Sequence, residues 1–338
     1  MRVLVTGGCG FIGSHFVKLL VAGGYAVTVL DKLTYAGNRA NLAGIDHDFV
    51  HGDIADPASV AEASSGCDAV VNFAAESHVD RSILDPEAFI RTGVTGVHIL
   101  LEAVREASAG RDRPLRYLQV STDEVYGSVE EGRSGEADRL DPRSPYSAVK
   151  AAGELLVSSY VGTHGVDAVV TRGANTYGPY HHPEKLIPLF LTNAVDDLPL
   201  PMYGDGLQRR DWLFVADHAG AIDHVLRNGA TGETYNLPGS AEMTNRDVVA
   251  ALLERLGKPW SLVRSVPDRP GHDRRYALDG SKLSALGWRN RTSFADGLAA
   301  TVDWYLANEP WWRAAKSGDW DAYYERQYGA RLAASTEA

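Results

Sequence analysis

The sequence predicts a doubly wound α/β fold, a parallel sheet with helices on both faces, followed by a smaller C-terminal α/β lobe. Three observations predict it. Apolar runs of strand length alternate with helical patterns through the first half of the chain, and those runs are continuously apolar, as in a sheet covered on both sides. From about Tyr180 the alternation loosens, with Pro183, Pro188, Pro199 and Pro201 close together. The expected division is 1–179 for the first domain, 180–330 mainly for the second, and a flexible tail over 331–338, whose last residues Ala333-Ala334-Ser335-Thr336-Glu337-Ala338 offer nothing to bury.

Taken in order, Val3 to Thr6 is a compact strand, and Phe11, Ile12, Phe16, Leu19 and Leu20 follow at helical spacing. Strands are predicted at Tyr25 to Leu30, Phe49-Val50, Ala69 to Phe73, Leu115 to Ser121 and Asp167 to Thr171. Helices are predicted between most of them, at Pro57 to Ser64, Pro86 to Ala107 and Ser147 to Tyr160, and again later at Asn245 to Leu256 and Phe294 to Ala307.

A formal net charge of -11 and the absence of any Lys/Arg run argue against a nucleic-acid partner. A small anionic substrate is compatible with it, because a few arginines and a helix N-terminus can hold a diphosphate locally. Cys9 and Cys67 are too few for a disulfide framework or a zinc site and suit a reducing compartment. The first apolar run stops at Gly7, and no later one reaches membrane-spanning length, so a cytoplasmic protein without a membrane partner is expected.

Gly7-x-x-Gly10-x-x-Gly13 falls where the first strand turns into the first helix, the place where missing side chains let a pyrophosphate approach helix N-terminal amides. Alone, such a triplet describes only a tight turn. Asp31 strengthens it by ending the second strand eighteen residues after Gly13, where a carboxylate accepts hydrogen bonds from ribose hydroxyls and repels a 2′-phosphate. The reading is a dinucleotide-binding (Rossmann) domain that takes NAD rather than NADP, with Lys32 weakening the exclusion of NADP slightly.

Tyr146 and Lys150 stand four apart on a predicted helix, on one face. A phenol titrates at about 10 in water and is a poor base at neutral pH, but an adjacent ammonium and a positive nicotinamide both favour its phenolate. Just upstream, Ser121-Thr122-Asp123-Glu124 ends the fifth strand with two adjacent carboxyl groups. Both reach one substrate only if the chain turns there, since neighbours in a strand face opposite ways; a turn is expected.

These segments resemble the extended short-chain dehydrogenase/reductase superfamily and, within it, the dTDP-glucose 4,6-dehydratases. The resemblance runs through Val5 to Gly13, Leu33-Thr34-Tyr35-Ala36-Gly37-Asn38, Ala74 to Ser82, Ser121 to Gly127, Ser144 to Lys150, Pro183 to Pro188, Tyr203-Gly204-Asp205-Gly206 with Arg210-Asp211-Trp212, and Asp268 to Asp273. It implies an NAD-dependent hydro-lyase acting on dTDP-glucose by C4 oxidation, loss of water across C5 and C6, and reduction at C6, with NAD regenerated. Tyr146, supported by Lys150, is implied as the base at the 4-hydroxyl, Thr122 as its hydrogen-bond partner, Glu124 as the C5 base and Asp123 as the acid at C6. Phe11, Ile12, Thr34, Asp53, Ile54, Ala74, Ala75, Ser77 and Thr92 join the glycines, Asp31, Lys32, Tyr146 and Lys150 around the cofactor. Ser77 and Glu184 approach the sugar, while Asn175, Lys185, Arg210, Arg269 and His272 line the diphosphate and base pocket. A homodimer, paired through the long helices into a four-helix bundle, is also implied.

Some positions depart from the family pattern: Gly93 where asparagine is expected, Ala174 and Thr176 flanking Asn175, and Gln208 in place of asparagine. His181-His182 with Glu184 is read as a loop, with no metal. Trp304, Trp311, Trp312, Trp320 and Tyr126 are read as core. A nucleotide-sugar C4 epimerase or decarboxylase, a dehydratase of another nucleotide-hexose, and a non-catalytic NAD sensor are the rivals. The epimerase and the decarboxylase have no use for Asp123-Glu124, and the sensor has no need of Tyr146 and Lys150.

Overall fold

The computed structural model describes residues 1–268, 271–318 and 320–335. Its strands are β1 (Arg2–Thr6), β2 (Ala26–Asp31), β3 (Asp48–His51), β4 (Ala69–Asn72), β5 (Arg116–Thr122), β6 (Ala168–Gly173), β7 (Asn175–Tyr177), β8 (Leu200–Tyr203), β9 (Arg209–Phe214), β10 (Thr234–Leu237), β11 (Ala241–Thr244) and β12 (Val263–Val266). Seven of them form one sheet in the order β10-β6-β5-β4-β1-β2-β3, every pair parallel. The order reverses between β1 and β4, which opens a crevice at the carboxyl ends of those strands.

Helices cover both faces, as the apolar strands require. On one side α1 (Phe11–Ala22) buries Phe16, Val17 and Leu20 against Val3, Val5 and Val29. On the other lie α2 (Pro57–Ser64), the short α3 (Val79–Leu84) and α4 (Glu87–Ile90), then α5 (Val97–Ser108) and α6 (Pro145–His164). That face is closed by Leu4, Val70, Leu100, Leu101, Tyr117 and Val157. A six-residue π-helical stretch, Arg91–Gly96, joins α4 to α5.

The predicted division at 180 is corrected in one respect. After α7 (Leu186–Val195), the chain comes back to the first lobe with α8 (Val215–Asn228) and β10, whose Thr234 to Leu237 pair with Val170 to Gly173. The return caps the edge of β6, which would otherwise present unpaired backbone, and Ile222, Val225 and Leu226 complete the α1-side core. The second lobe holds a sheet β11-β9-β7, the pair β12-β8, and α9 (Asn245–Leu256), α11 (Phe294–Ala307), α12 (Glu309–Ala315), α13 (Trp320–Tyr324) and α14 (Ala330–Ser335), while the short α10 (Ser281–Ala285) packs on β10 and puts Leu283 into the α1-side core. Trp312 and Trp320 are buried in its core, with Trp304 and Trp311 packed against it. The expected tail is helical to Ser335, with Leu332 against the same core, while 336–338 lie outside the described residues. Among the described residues no helix is long and apolar enough to cross a membrane.

Candidate active site

A cavity of about 350 Å³ occupies the crevice, and its wall includes the glycine turn, the ends of β2, β4 and β5, Thr92, Tyr146, Lys150, Asn175 and Lys185. Gly7 has φ +68, and a Cβ there would lie 2.7 Å from the Ala74 nitrogen; at Gly13 it would lie 2.3 Å from the Gly7 carbonyl oxygen. Both positions are closed to side chains by the approach of the turn to β4 and to its own helix. At Gly10, which caps α1 without any side-chain hydrogen bond, a Cβ would meet only the Gly7 carbonyl, at 3.2 Å. Bare, uncapped amides of a twelve-residue helix thus face the cavity beside Phe11 and Ile12, the arrangement a dinucleotide pyrophosphate needs.

Asp31 accepts N–H bonds from Cys9 and Leu33, both at 2.8 Å, and burial raises its carboxyl above the usual range. Lys32 reaches Asp53 at 3.0 Å. It borders the same cavity as Asp31. Thr34, Ile54, Ala74, Ala75 and Ser77 all border the same cavity. The residues required for NAD fit it.

The chain turns where the paired carboxyls demand it. β5 ends at Thr122, and Asp123–Tyr126 form a 3-10 turn capped by the Thr122 hydroxyl, which accepts from the Glu124 N–H at 3.3 Å and donates to Asp123 Oδ1 at 3.1 Å. Asp123 Oδ2 is buried with no hydrogen-bond partner among the described residues. Burial first, and then the neighbouring charge of Glu124, push the Asp123 carboxyl well above its ordinary range. The two acids are side by side in one cavity yet differently placed, Asp123 at 2 % exposure and Glu124 half-buried.

Helix α6 presents the other pair. Ser144 caps it through the Ser147 N–H, and Pro145 occupies the first position, so Tyr146 falls in the first turn and Lys150 one turn on. Lys150 Nζ donates to the Val120 carbonyl at 2.6 Å, because a buried ammonium needs an acceptor. Burial lowers this lysine to about 8 against the opposing charge of Glu154. Tyr146 is raised above its ordinary value by burial and by the charges of Glu124 and Asp123, with only the Thr122 hydroxyl acting the other way.

Of the residues implied for the substrate, Ser77, Thr122, Asn175 and Lys185 border the cavity. Asn175 Oδ1 is buried without a partner among the described residues, and Lys185 Nζ donates to the Ser77 carbonyl at 2.6 Å. Arg210, Glu184 and His272 stand behind the wall. Arg210 donates to the Asp273 carbonyl (2.9 Å) and covers the Tyr276 ring, and its charge lowers Asp123 slightly against the larger effects above. His272 pairs with Asp268 at 2.6 Å. Arg269 lies outside the described residues.

Glu184, expected near the sugar, is buried, 3.0 Å from Arg81, and accepts from the Tyr35 hydroxyl at 2.9 Å. Burial would raise it, but the charges of His78, His182, Lys185 and Arg81 hold it down to about 2. Its folded value lies below the ordinary 4.5, so the stability it contributes is whole above 4.5 and lost as pH falls toward 2. This is on the order of 3 kcal/mol. The urea midpoint should fall more steeply between pH 6 and pH 3 in the wild type than in Glu184→Gln, and parallel curves would contradict the assignment.

The departures from the family pattern have local causes. A Cβ at Gly93 would lie 2.2 Å from Val149 Cγ1, so glycine there admits α6, and the residue is not on the cavity wall. Thr176 donates its hydroxyl to the Ala174 carbonyl (3.1 Å) and shares a hydrogen bond with His218 Nδ1 (2.7 Å), and Gln208 donates to Asp268 (2.9 Å). Ala174 and Thr176 do border the cavity. His181 and His182 are loop residues, yet both line the site, and His181 stacks on Phe11 with ring centroids 4.1 Å apart. Sequence reasoning set these two aside; their position beside Pro183-Glu184-Lys185 was the available signal.

A family model described as GDP-mannose 4,6 dehydratase matches residues 4–301. A dTDP-glucose 4,6-dehydratase of Streptomyces niveus is 51% identical over 330 residues, spanning 94% of this chain and 97% of its own. The dTDP-glucose 4,6-dehydratase DesIV of Streptomyces venezuelae, solved with NAD bound, has a TM-score of 0.90 and 52% identity, covering 94% of this chain and 100% of its own. The UDP-glucose 4-epimerase of Thermus thermophilus, in complex with NAD, shares the fold at TM-score 0.85 with 35% identity, over 91% of this chain and 100% of its own.

Proposed function

The chain belongs to the GDP-mannose 4,6 dehydratase family, and on that premise we propose that it converts dTDP-glucose to dTDP-4-keto-6-deoxyglucose and water as an NAD-dependent hydro-lyase. When bound, NAD would supply a positive nicotinamide that favours the phenolate and a reversible hydride acceptor for C4 and C6. The Gly10 to Gly13 amides would hold its pyrophosphate, and Asp31 would accept from its ribose hydroxyls.

Tyr146 takes the proton of the 4-hydroxyl while Thr122 holds the same oxygen. With a ketone at C4, the C5 proton is acidified, and Glu124 removes it. Asp123, kept protonated by its burial, gives its proton to the departing C6 hydroxyl, which leaves as water. A proton returns to C5 as C6 is reduced, so atoms balance to one water lost. Asn175, Lys185, Arg210, Arg269 and His272 hold the diphosphate and base, and Ser77 is at the sugar.

One observation carries this reading over the epimerase: both carboxyls of the Asp123-Glu124 turn stand on the wall of the same cavity as Tyr146. An epimerase needs neither. Incubation with dTDP-glucose should yield a product with the alkali absorbance of a 4-keto-6-deoxy sugar and a mass lower by one water; simple epimerisation, or no reaction, would reject it.

The working form is a homodimer joined through α5 and α6, a reading supported by exposed Leu155 on α6 and Ile90 at the end of α4. A solution mass of one chain would refute it. The place of work is the cytoplasm, where the two free, buried cysteines stay reduced.

A further inference from the structure

Three side chains that the chemistry above does not use are joined beneath the site. Arg172 on β6 donates through Nε (2.9 Å) and Nη2 (2.6 Å) to Glu154 Oε2, and through Nη1 (2.6 Å) to the Tyr126 hydroxyl. Tyr126 in turn donates to Asn236 Oδ1 on β10 at 2.9 Å. Glu154, Arg172 and Tyr126 are all buried, at 4 %, 6 % and 6 % exposure.

Their positions give the network its meaning. Glu154 is on α6, four residues after Lys150 and eight after Tyr146, so the three share a helix face. Tyr126 closes the 3-10 turn that Asp123 and Glu124 open. Arg172 is fixed between them in the sheet. We propose that Glu154, Arg172 and Tyr126 form a rigid strut that sets the spacing between the oxidising pair on α6 and the eliminating pair on the turn, making all three positioning residues for the dehydration. The inference rests on the dehydratase reading.

Stability alone is a weak explanation for the strut. A buried ion pair is often replaceable by apolar groups of equal volume without loss, because desolvation offsets the attraction. The proposed reaction, by contrast, asks two catalytic pairs on different elements to address one hexose in succession. A displacement of about 1 Å in such an arrangement can cost about a hundredfold. The Tyr126 hydroxyl both accepts and donates, so it bridges as a neutral phenol and is not a second base.

Tyr126→Phe is the primary test, since it removes one oxygen and leaves the ring and the Arg172–Glu154 pair in place. On dTDP-glucose, turnover should fall about tenfold with KM within about twofold. Reduced nicotinamide should accumulate at steady state, because C4 oxidation continues while elimination lags, and NAD affinity measured by calorimetry should be unchanged. Glu154→Gln should give the same signature. Unchanged turnover without accumulation, or a loss of turnover accompanied by weaker NAD binding and no accumulation, would overturn the strut. Wild-type turnover is measured first, so failure of the dehydratase reading appears in the wild type and failure of the strut only in the variants.

Discussion

Tyr146→Phe should abolish the first chemical step: on mixing with dTDP-glucose no reduced-nicotinamide absorbance should develop, and turnover should fall by about 10²–10⁴-fold. The reason is geometric as well as chemical. The phenol is set in the first turn of a helix whose start is fixed by Ser144 and Pro145, against Thr122 at the end of β5. The other phenol near the paired acids, Tyr126, is committed to Arg172 and Asn236. Burial first, and then the neighbouring acids, hold the Tyr146 phenol neutral in this structure, so removing its oxygen relieves no charge, and the variant should fold with a thermal midpoint close to wild type. Reduced cofactor forming at the wild-type rate would transfer the role of base to another group.

The first lobe was legible because its signals are local. Pro57–Ser64 has the bounds its apolar periodicity gives. Local signals reach into the second lobe too, where Asn245–Leu256 and Phe294–Ala307 also keep their expected bounds, with Thr244 and Ser293 as caps. The return of the chain to the main sheet was not legible. Thr234 to Leu237 is four residues long, and it pairs with Val170 to Gly173, far back in the chain, so nothing in the short run itself says which sheet it joins.

The same contrast holds at the site. Residues carried by contiguous motifs, from Gly7 to Gly13 and from Thr122 to Glu124, fall on one cavity wall. Pairings between distant segments were hidden: Tyr35 with Glu184, His181 with Phe11 and Arg172 with Tyr126 are each set by packing. A buried acid such as Glu184 can be recognised in sequence, but whether it meets a sugar or an arginine depends on which loop reaches it first. Lys150 makes the same point at shorter range. Its spacing from Tyr146 put both on one face, yet the nearest acceptor, the Val120 carbonyl, decided where its ammonium points.

Glu124→Gln should separate the two halves of the reaction. C4 oxidation depends on Tyr146 and Thr122, which the substitution leaves untouched, so reduced nicotinamide should appear and persist. Exchange of the C5 hydrogen with solvent deuterium should be lost, and net turnover should fall by about 10²–10³-fold. Asp123→Asn should leave a different trace, with C5 exchange retained and loss of water slowed. The contrast follows from environment rather than residue type: Asp123 is buried, with one oxygen lacking a partner among the described residues and a raised carboxyl, suited to give a proton, whereas half-buried Glu124 is the one suited to take it. Mass spectrometry of dTDP-glucose recovered from deuterated water reads the exchange, and the mass of the product reads the loss of water. If exchange at C5 continues at the wild-type rate in Glu124→Gln, the base lies elsewhere; if Asp123→Asn loses exchange and Glu124→Gln keeps it, the two roles are reversed.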